Sequence, residues 1–183
     1  VIGRGTRIFA NAVIGGDPQS VHHDGAETTL SVGSMCVIRE GVTMNTGTTE
    51  GGGKTVVGNN NLFLANSHVA HDCQLGSHII LANAVQLAGH VHLADWVFLG
   101  GLTGVHQFVR VGAHAMSAFQ SRLAQDVPPF MTVGGNPAAA QGVNAEGLRR
   151  RGFSAERIAN IKQMQRLIYR QGLTLDAARA KFD

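Results

Sequence analysis

The sequence is poor in aromatic residues, charge and cysteine, and each scarcity excludes a class of protein. Only 5% of its 183 residues are aromatic and 15% are charged, whereas 44% are hydrophobic. These values argue against a broad aromatic core and against a disordered chain. Two cysteines, Cys36 and Cys73, cannot build a disulfide framework or a zinc site with C-x-x-C spacing. No apolar run approaches the roughly 20 residues of a transmembrane helix, so no transmembrane segment is expected.

The charge balance gives little sign of a nucleic-acid partner. The formal net charge is +3, and the one basic run is Arg149-Arg150-Arg151. Nucleic-acid-binding proteins usually carry a longer basic stripe, so no such partner is expected. No charged and then apolar signal segment is present, and with so few cysteines a reducing compartment, the cytoplasm, is expected.

What the sequence does have is glycine, 24 residues in all, and an apolar residue at every sixth position. Ser117 ends an uninterrupted series of ten such residues, which are Val57, Phe63, Val69, Leu75, Leu81, Leu87, Leu93, Leu99, Val105 and Val111. This hexapeptide pattern is typical of a parallel β-helix, in which stacked coils bury one continuous core. Three repeats make a triangular coil, so residues 18 positions apart are expected to stack.

Two interruptions divide the repeat before Val57. The same phase runs through Ile2, Ile8 and Ile14 and again through Val32, Ile38 and Met44. Residues 15–29, which are polar and rich in histidine, and the glycine-rich residues 46–53 are predicted to be loops. Loops on a rigid scaffold commonly carry function.

The repeat ends near Gln120, and the composition then becomes helical. Ser154 is a plausible N-cap of one helix that ends before Gly172, and a second helix is expected after Thr174. We therefore predict a β-helix domain over residues 1–140 and a C-terminal helical region over 141–183. The chain opens in mid-pattern and stops inside an apparent helix, so N-terminal coils and part of the helical region are expected to be missing.

Stacking brings polar residues together on one side of the predicted helix. His71 and Gly89 share a column with Gln107, and Asp72 and His90 occupy the next column with Phe108. A lone histidine is more often a satisfied surface residue than a base. A histidine beside a carboxylate, however, suits proton abstraction near neutral pH, and a glycine one coil away leaves an N–H to stabilise an oxyanion. Such an arrangement suits acyl transfer.

Several motifs resemble one known family. They occupy residues 66–73, 81–83, 87–91, 105–108, 124–129 and 142–153, and they include Val105-His106-Gln107-Phe108 and Asn144-Ala145-Glu146-Gly147-Leu148. In this order they are similar to the UDP-N-acetylglucosamine acyltransferases, which catalyse the first step of lipid A biosynthesis. The related N-acyltransferases of the same pathway are a poorer match.

The resemblance implies a fold, a reaction and partners. The fold is an all-β, left-handed parallel β-helix with a C-terminal helical appendage, assembled as a homotrimer with sites between neighbouring prisms. The reaction transfers a 3-hydroxyacyl group from acyl carrier protein to the 3-position of UDP-N-acetylglucosamine. No organic cofactor and no metal are implied.

The resemblance also assigns roles to residues. His71 would take the proton of the acceptor, Asp72 would orient His71, and the Gly89 amide would receive the oxyanion. Substrate-binding residues would be Gln19, Ser20, His22, His68, His90, His106, Gln107, Phe119, Asn144, Glu146, Arg150 and Arg151. In this set Asn144, Glu146 and Arg150 hold the nucleotide from a neighbouring subunit, and Arg151 meets phosphate or the acidic carrier protein.

Four positions depart from the family pattern. One of them, Asn45, replaces a His found in many members and carries little weight, because Asn also occurs there. Ser20 and His22 stand where members usually have Asp and Lys that grip the sugar, so the acceptor group, hydroxyl or amine, stays open. Phe119 stands where many members have Gly, and a ring there is predicted to shorten the acyl groove and favour a short donor. The alternative is that Phe119 faces the core or solvent.

Two other functions are compatible with the fold. One is a metal-dependent hydratase of the carbonic anhydrase type, in which His68, His71 and His90 bind Zn²⁺. The other is a non-catalytic trimeric scaffold, in which the histidine cluster is only a satisfied polar seam. Metal analysis and an acyl-transfer assay discriminate among the three.

Overall fold

The computed structural model describes residues 1–181, and over them the chain forms 19 short strands and three helices. The strands are β1 (Arg7–Ile8), β2 (Val13–Gly16), β3 (Thr29–Val32), β4 (Val37–Ile38), β5 (Thr43–Asn45), β6 (Lys54–Val57), β7 (Leu62–Phe63), β8 (His68–Val69), β9 (Gln74–Leu75), β10 (Ile80–Leu81), β11 (Gln86–Leu87), β12 (His92–Leu93), β13 (Phe98–Leu99), β14 (Gly104–Val105), β15 (Arg110–Val111), β16 (Met116–Ser117), β17 (Arg122–Leu123), β18 (Met131–Gly134) and β19 (Ala139–Val143). The helices are α1 (Ala145–Arg150), α2 (Ala155–Arg170) and α3 (Leu175–Arg179).

The strands form the three sides of a prism, because every third strand joins the same sheet. The eight-stranded sheet has the order β1-β4-β7-β10-β13-β16-β18-β19, the six-stranded sheet β17-β14-β11-β8-β5-β2, and the five-stranded sheet β15-β12-β9-β6-β3. Pairing is parallel except between β18 and β19. Val69 pairs with Leu87, and Leu87 pairs with Val105, so the predicted stacking is confirmed.

Each two-residue strand from β4 to β17 sends its second side chain into the core. The ten apolar residues of the series from Val57 to Val111 are all buried, each with 4% exposure or less. At the corners, every sixth residue from Asn60 to Gln120 adopts a left-handed conformation, for example Asn66 at φ 60° and Trp96 at φ 65°. Asn, Asp and His tolerate this region better than bulky residues do. The period of six therefore governs both the core and the corners.

The β-helix continues past Gln120, which corrects the predicted end of the repeat. Ser117 occupies the inward position of β16 and is fully buried. Its hydroxyl accepts from the Gly100 N–H at 3.0 Å and lies 2.9 Å from the Thr103 hydroxyl. A buried hydroxyl with such partners costs little stability, so the column tolerates it. Leu123 then resumes the core on the next strand, β17.

The two interruptions of the repeat are loops, as predicted. Residues 17–28 connect β2 to β3, and residues 46–53 connect β5 to β6. On either side of them the stacking is kept, since Ile14 pairs with Met44 and Val32 pairs with Val57. Both loops therefore leave the prism without disturbing the core.

The helical region begins with capped helices. Ser154 caps α2 and Thr174 caps α3, both as predicted, and Asn144 caps α1. The region packs on a column of aromatic side chains at one corner of the prism, in which the rings of His78 and Trp96 are stacked at 4.0 Å. Those of His114 and Phe130 continue the column, and Phe153, between α1 and α2, packs edge-on against both. This contact joins the helices to the β-helix.

Both cysteines are free and buried. Burial raises the pKa of the Cys73 thiol to about 12, so it is uncharged at neutral pH and packs as a small apolar residue. None of the helices within residues 1–181 combines the length and apolar character needed to cross a bilayer.

Candidate active site

The predicted pair of His71 and Asp72 forms at one corner of the prism, directly after β8. Asp72 adopts φ 61°, and its side chain is 1% exposed. This conformation turns its carboxylate toward the neighbouring imidazole, whose Nδ1 lies 2.8 Å from Asp72 Oδ2. The carboxylate therefore binds one ring nitrogen and leaves Nε2 for chemistry.

The loop of residues 46–53 holds the Asp72 carboxylate from the opposite side. Thr48 donates its backbone N–H to Oδ1 and its hydroxyl to Oδ2, at 2.8 and 2.7 Å. Burial raises the pKa of Asp72, but the bonds from Thr48 and His71 outweigh burial and hold that pKa below its ordinary value. Asp72 is thus ionised at neutral pH. Sequence reasoning missed Thr48, whose one signal is its place in a glycine-rich loop.

His90 and Phe108 extend the site one and two coils away. The His90 ring meets the His71 ring edge-on at 5.3 Å and stacks on Phe108 at 4.4 Å. Its Nε2 lies 3.7 Å from Asp72 Oδ2, beyond hydrogen-bond distance. In the predicted second column, His90 and Phe108 therefore form a wall beside the pair of His71 and Asp72.

Gly89 is needed because the His71 ring lies against it. A Cβ at this position would stand 2.5 Å from His71 Cε1. No acceptor for the Gly89 N–H is found within the described part of the chain. The glycine therefore leaves room for the imidazole, and its N–H is free to donate to an acceptor.

Two cavities meet at His71. The first, of about 590 Å³, is enclosed by both loops and includes Gln19, Ser20, His22, His71, His90, Gln107 and Phe108 among its lining residues. The second, of about 520 Å³, runs along the six-stranded sheet and includes Gln19, His68, His71, Leu87, Gly89, Val105, His106, Gln107 and Arg122. Since His71 lines both, two substrates can reach one imidazole from different directions.

The loop of residues 17–28 reaches the first cavity because two hydrogen bonds tie it down. Asn45 donates its Nδ2 to the Asp17 carbonyl at 2.8 Å, and the Thr28 hydroxyl donates to Thr46 at 2.9 Å. Within the loop, the His22 N–H donates to Ser20 Oγ at 3.3 Å. Ser20 and His22, two of the departures from the family pattern, therefore line the same cavity as His71.

His68 takes a separate partner. Its Nδ1 lies 2.7 Å from the Thr43 hydroxyl on the neighbouring strand. Burial and, secondly, the nearby His71 lower the pKa of His68, so this ring is neutral at pH 7. It lines the second cavity beside His71 and does not join the Asp72 cluster.

Five predicted substrate residues line neither cavity of the single chain. Phe119 is 64% exposed at a corner, which excludes the alternative that it faces the core. Asn144 donates to the His114 carbonyl at 3.0 Å, and Glu146 pairs with Arg150 at 3.0 Å and with Arg149. The Arg151 guanidinium lies 5.4 Å from the Trp96 ring centroid. Within one chain, these residues and the pair of His71 and Asp72 form separate groups.

One trio among residues 1–181 has the geometry of metal ligands. His71, Asp72 and His90 offer ligand atoms that lie within 4.8 Å of one another. The histidine trio of the alternative hydratase does not form, because His68 bonds to Thr43. The contact between His71 Nδ1 and Asp72 Oδ2 at 2.8 Å is the one expected of a base held by a carboxylate.

Comparison with known sequences points to one family. The profile of Udp N-acetylglucosamine O-acyltransferase, Domain 2, matches residues 126–183. A protein of Verminephrobacter eiseniae, named as an acyl-(acyl-carrier-protein)-UDP-N-acetylglucosamine O-acyltransferase, is 56% identical over 177 residues, 97% of this chain and 68% of that protein. The protein of the same name from Rhizobium etli is 55% identical over 169 residues, which are 92% of this chain and 62% of its own.

Solved structures agree. The UDP-N-acetylglucosamine acyltransferase of Bacteroides fragilis has a TM-score of 0.95 and 43% identity, and the match covers 98% of this chain and 70% of that chain. The Arabidopsis enzyme has a TM-score of 0.90 and 34% identity, over 96% of this chain and 62% of that chain. The resemblance and the left-handed β-helix fold are thereby confirmed, and neither the hydratase nor the scaffold is supported.

Proposed function

This chain belongs to the UDP-N-acetylglucosamine O-acyltransferase family, and we propose that it transfers a 3-hydroxyacyl group from acyl carrier protein to the 3-position of UDP-N-acetylglucosamine. This is the first step of lipid A biosynthesis. The observation that carries the proposal is the contact of 2.8 Å between His71 Nδ1 and Asp72 Oδ2 at the junction of two cavities.

His71 acts as the general base. Its Nδ1–H donates to ionised Asp72, so the free Nε2 takes the proton of the sugar 3-hydroxyl as that oxygen attacks the thioester carbonyl. The Gly89 N–H stabilises the oxyanion of the tetrahedral intermediate. When the intermediate collapses, the carbon–sulfur bond breaks and the imidazolium returns its proton to the thiolate of the carrier. Asp72 stabilises the transient positive charge on His71.

The two cavities accommodate the two substrates. The first is enclosed by loops and lined by polar groups such as Gln19, Ser20 and His90, which suits a sugar nucleotide. The second runs along the sheet past Leu87 and Val105, which suits the acyl donor. Gln19 and Gln107 line both, beside the point of transfer.

The protein acts as a homotrimer. The outward side chains of the eight-stranded sheet form an apolar stripe of half-buried residues, Val37, Leu62, Ile80, Phe98 and Met116. A continuous apolar stripe of this kind marks a protein interface. In the trimer, Asn144, Glu146 and Arg150 of one copy serve the active site of its neighbour and hold the nucleotide.

Two further assignments complete the proposal. Residues 1–140 form the acyltransferase domain, and residues 141–183 form the region that holds the nucleotide and, through Arg151, phosphate or the carrier protein. The protein works in the cytoplasm, where buried free thiols such as Cys73 stay reduced.

An acyl-transfer assay tests the function. Purified protein is incubated with 3-hydroxyacyl carrier proteins of several chain lengths, and with either UDP-N-acetylglucosamine or its 3-amino analogue. We expect an ester product and a higher kcat/KM for the 3-hydroxyl sugar. A preference for the amine would show that the natural acceptor is the 3-amino sugar, in keeping with the changes at Ser20 and His22. Absence of transfer to either sugar would contradict the proposed function.

A further inference from the structure

Thr48 binds both oxygens of the Asp72 carboxylate. Its backbone N–H donates to Oδ1 at 2.8 Å, and its hydroxyl donates to Oδ2 at 2.7 Å. These two bonds from one residue define the plane of the carboxylate. Thr48 lies in the loop of residues 46–53, remote from Asp72 in the sequence. It also lines the first cavity, and its side-chain bonds run to Asp72 and Gly51.

The direction of the Thr48 hydroxyl bond is determined by its neighbours. The Gly51 N–H donates to Thr48 Oγ1 at 3.0 Å, so this oxygen already serves as an acceptor. The ionised Asp72 has no proton to donate, so the hydroxyl hydrogen points at Oδ2. The Gly51 N–H thus donates to Thr48, and the Thr48 hydroxyl donates to Asp72 Oδ2. His71 Nδ1 contacts the same oxygen.

Asp72 needs such a guide because two imidazoles compete for it. Oδ2 lies 2.8 Å from His71 Nδ1 and 3.7 Å from His90 Nε2. The Asp72 N–H donates to Thr55 Oγ1 at 2.8 Å, which fixes the backbone but leaves the carboxylate torsion free. That torsion is intrinsically broad, so a small rotation can carry Oδ2 from one ring toward the other.

The loop also covers the carboxylate. A Cβ on Gly51 would lie 2.1 Å from Asp72 Cγ, so the backbone of the loop lies directly against the carboxylate. The Asp72 side chain is consequently 1% exposed. Exclusion of water strengthens the bonds that remain and makes their geometry decisive.

We propose that Thr48 is a positioning residue, which holds the Asp72 carboxylate toward His71 and so keeps His71 in the Nδ1–H tautomer required of the general base. The expected effect of Thr48 on catalysis rests on the proposed function. The arrangement of the three side chains does not depend on which acceptor is used.

Variants of Thr48 test the inference. Thr48→Val removes the hydroxyl at nearly constant volume, and Thr48→Ser keeps it. We expect Thr48→Val to lower kcat roughly tenfold with little change in KM, because a base in the wrong tautomer is present but inactive. Nitrogen NMR of the His71 ring should show the Nδ1–H form replaced by a mixture. Thr48→Ser should restore both kcat and the tautomer.

Thr29→Val is the matched control. It removes a hydroxyl that donates to the Gly53 carbonyl of the same loop at 3.3 Å and does not bind Asp72. An equal loss of kcat in this variant would show that loosening the loop suffices, and it would overturn the inference. If Thr48→Val does not fold, Thr48→Ala replaces it.

The NMR readout separates this inference from the proposed function. An unchanged His71 tautomer in Thr48→Val overturns the role of Thr48, whether or not the parent is active. Failure of the parent to transfer an acyl group to either sugar overturns the proposed function, and the tautomer measurement still decides the role of Thr48.

Discussion

At the scale of single residues, His71 has one ring nitrogen, Nδ1, bound to Asp72 and the other, Nε2, free to react. Asp72 binds its Nδ1, and two cavities meet at the ring. We expect His71→Ala to lower kcat by roughly 10²-fold or more, the usual contribution of a general base. The melting temperature should stay near that of the parent, because Asp72 keeps both bonds from Thr48.

Acyl-transfer assays of parent and variant measure the loss of kcat, and thermal melting measures the change in stability. His92→Ala, on the outer face of the five-stranded sheet, is the control and should keep the parental rate. A His71→Ala variant with near-full activity would contradict the assignment of the base.

The second prediction for a single residue concerns Phe119 and the length of the acyl donor. Its ring is 64% exposed and would contact a Cβ at Gly101, so it projects from the corner of the prism. In an acyl groove between two copies, such a ring occupies the space of the terminal methylenes of a long chain. Overpacking of this kind costs about 1 to 3 kcal/mol, roughly one to two decades in kcat/KM.

We therefore expect Phe119→Gly to shift the preference toward longer 3-hydroxyacyl donors. The measurement is kcat/KM for a short and a long donor in parent and variant. An unchanged ratio would show that Phe119 faces solvent in the assembled protein and does not set acyl length.

At the scale of elements, the aromatic column makes the joint between prism and helices sensitive to pH. His114 Nδ1 lies 3.2 Å from Arg151 Nη1 and accepts from it, so this ring must be neutral. Burial first and then the charge of Arg151 lower the pKa of His114, against an opposing effect of Asp95. Since the pKa is lower in the folded state, the unfolded chain binds the proton first.

Stability should therefore fall as the pH drops below about 6.5, the ordinary value for histidine in an unfolded chain, and continue to fall until the folded protein is protonated. His68 and His92, whose pKa values burial also lowers, act in the same direction. His114→Asn tolerates the left-handed backbone at φ 59° and removes one titrating group. Melting temperatures at pH 8 and 5.5 should differ less in the variant than in the parent, and an identical difference would exclude His114.

At the scale of the whole molecule, the apolar stripe on the eight-stranded sheet predicts how copies assemble. Phe98 lies near its centre, between Ile80 and Met116. In the proposed trimer, Phe98→Glu would place a carboxylate in each copy of the interface, where an unpaired buried charge is strongly unfavourable. We expect a monomer by light scattering. We also expect activity lower by roughly tenfold or more, because the proposed function takes the nucleotide-holding residues from a neighbouring copy.

Gln74→Glu, at the equivalent outward position of the five-stranded sheet, is the matched control and should remain trimeric. A parent that is monomeric and fully active, or a Phe98→Glu trimer with parental activity, would contradict the predicted assembly.

The period of six residues made it possible to predict the stacking of the coils and the position of His71 from the sequence alone. In a β-helix a constant sequence separation is a constant spatial separation, so Val69 had to stack on Leu87 and His71 had to lie beside Gly89. For the same reason the pairing of Asp72 with His71 and the position of His90 one coil away followed from counting.

The remaining features depend on contacts that the six-residue repeat does not predict. Thr48 reaches Asp72 from a loop whose path follows from its own turns, and Arg151 packs on Trp96 across the joint between two regions. Ser117 stays in the core because Gly100 and Thr103 satisfy its hydroxyl, which its polarity alone does not reveal. A repeat encodes stacking through spacing, whereas a loop contact or a buried hydrogen bond exists only once the folded backbone brings both partners together.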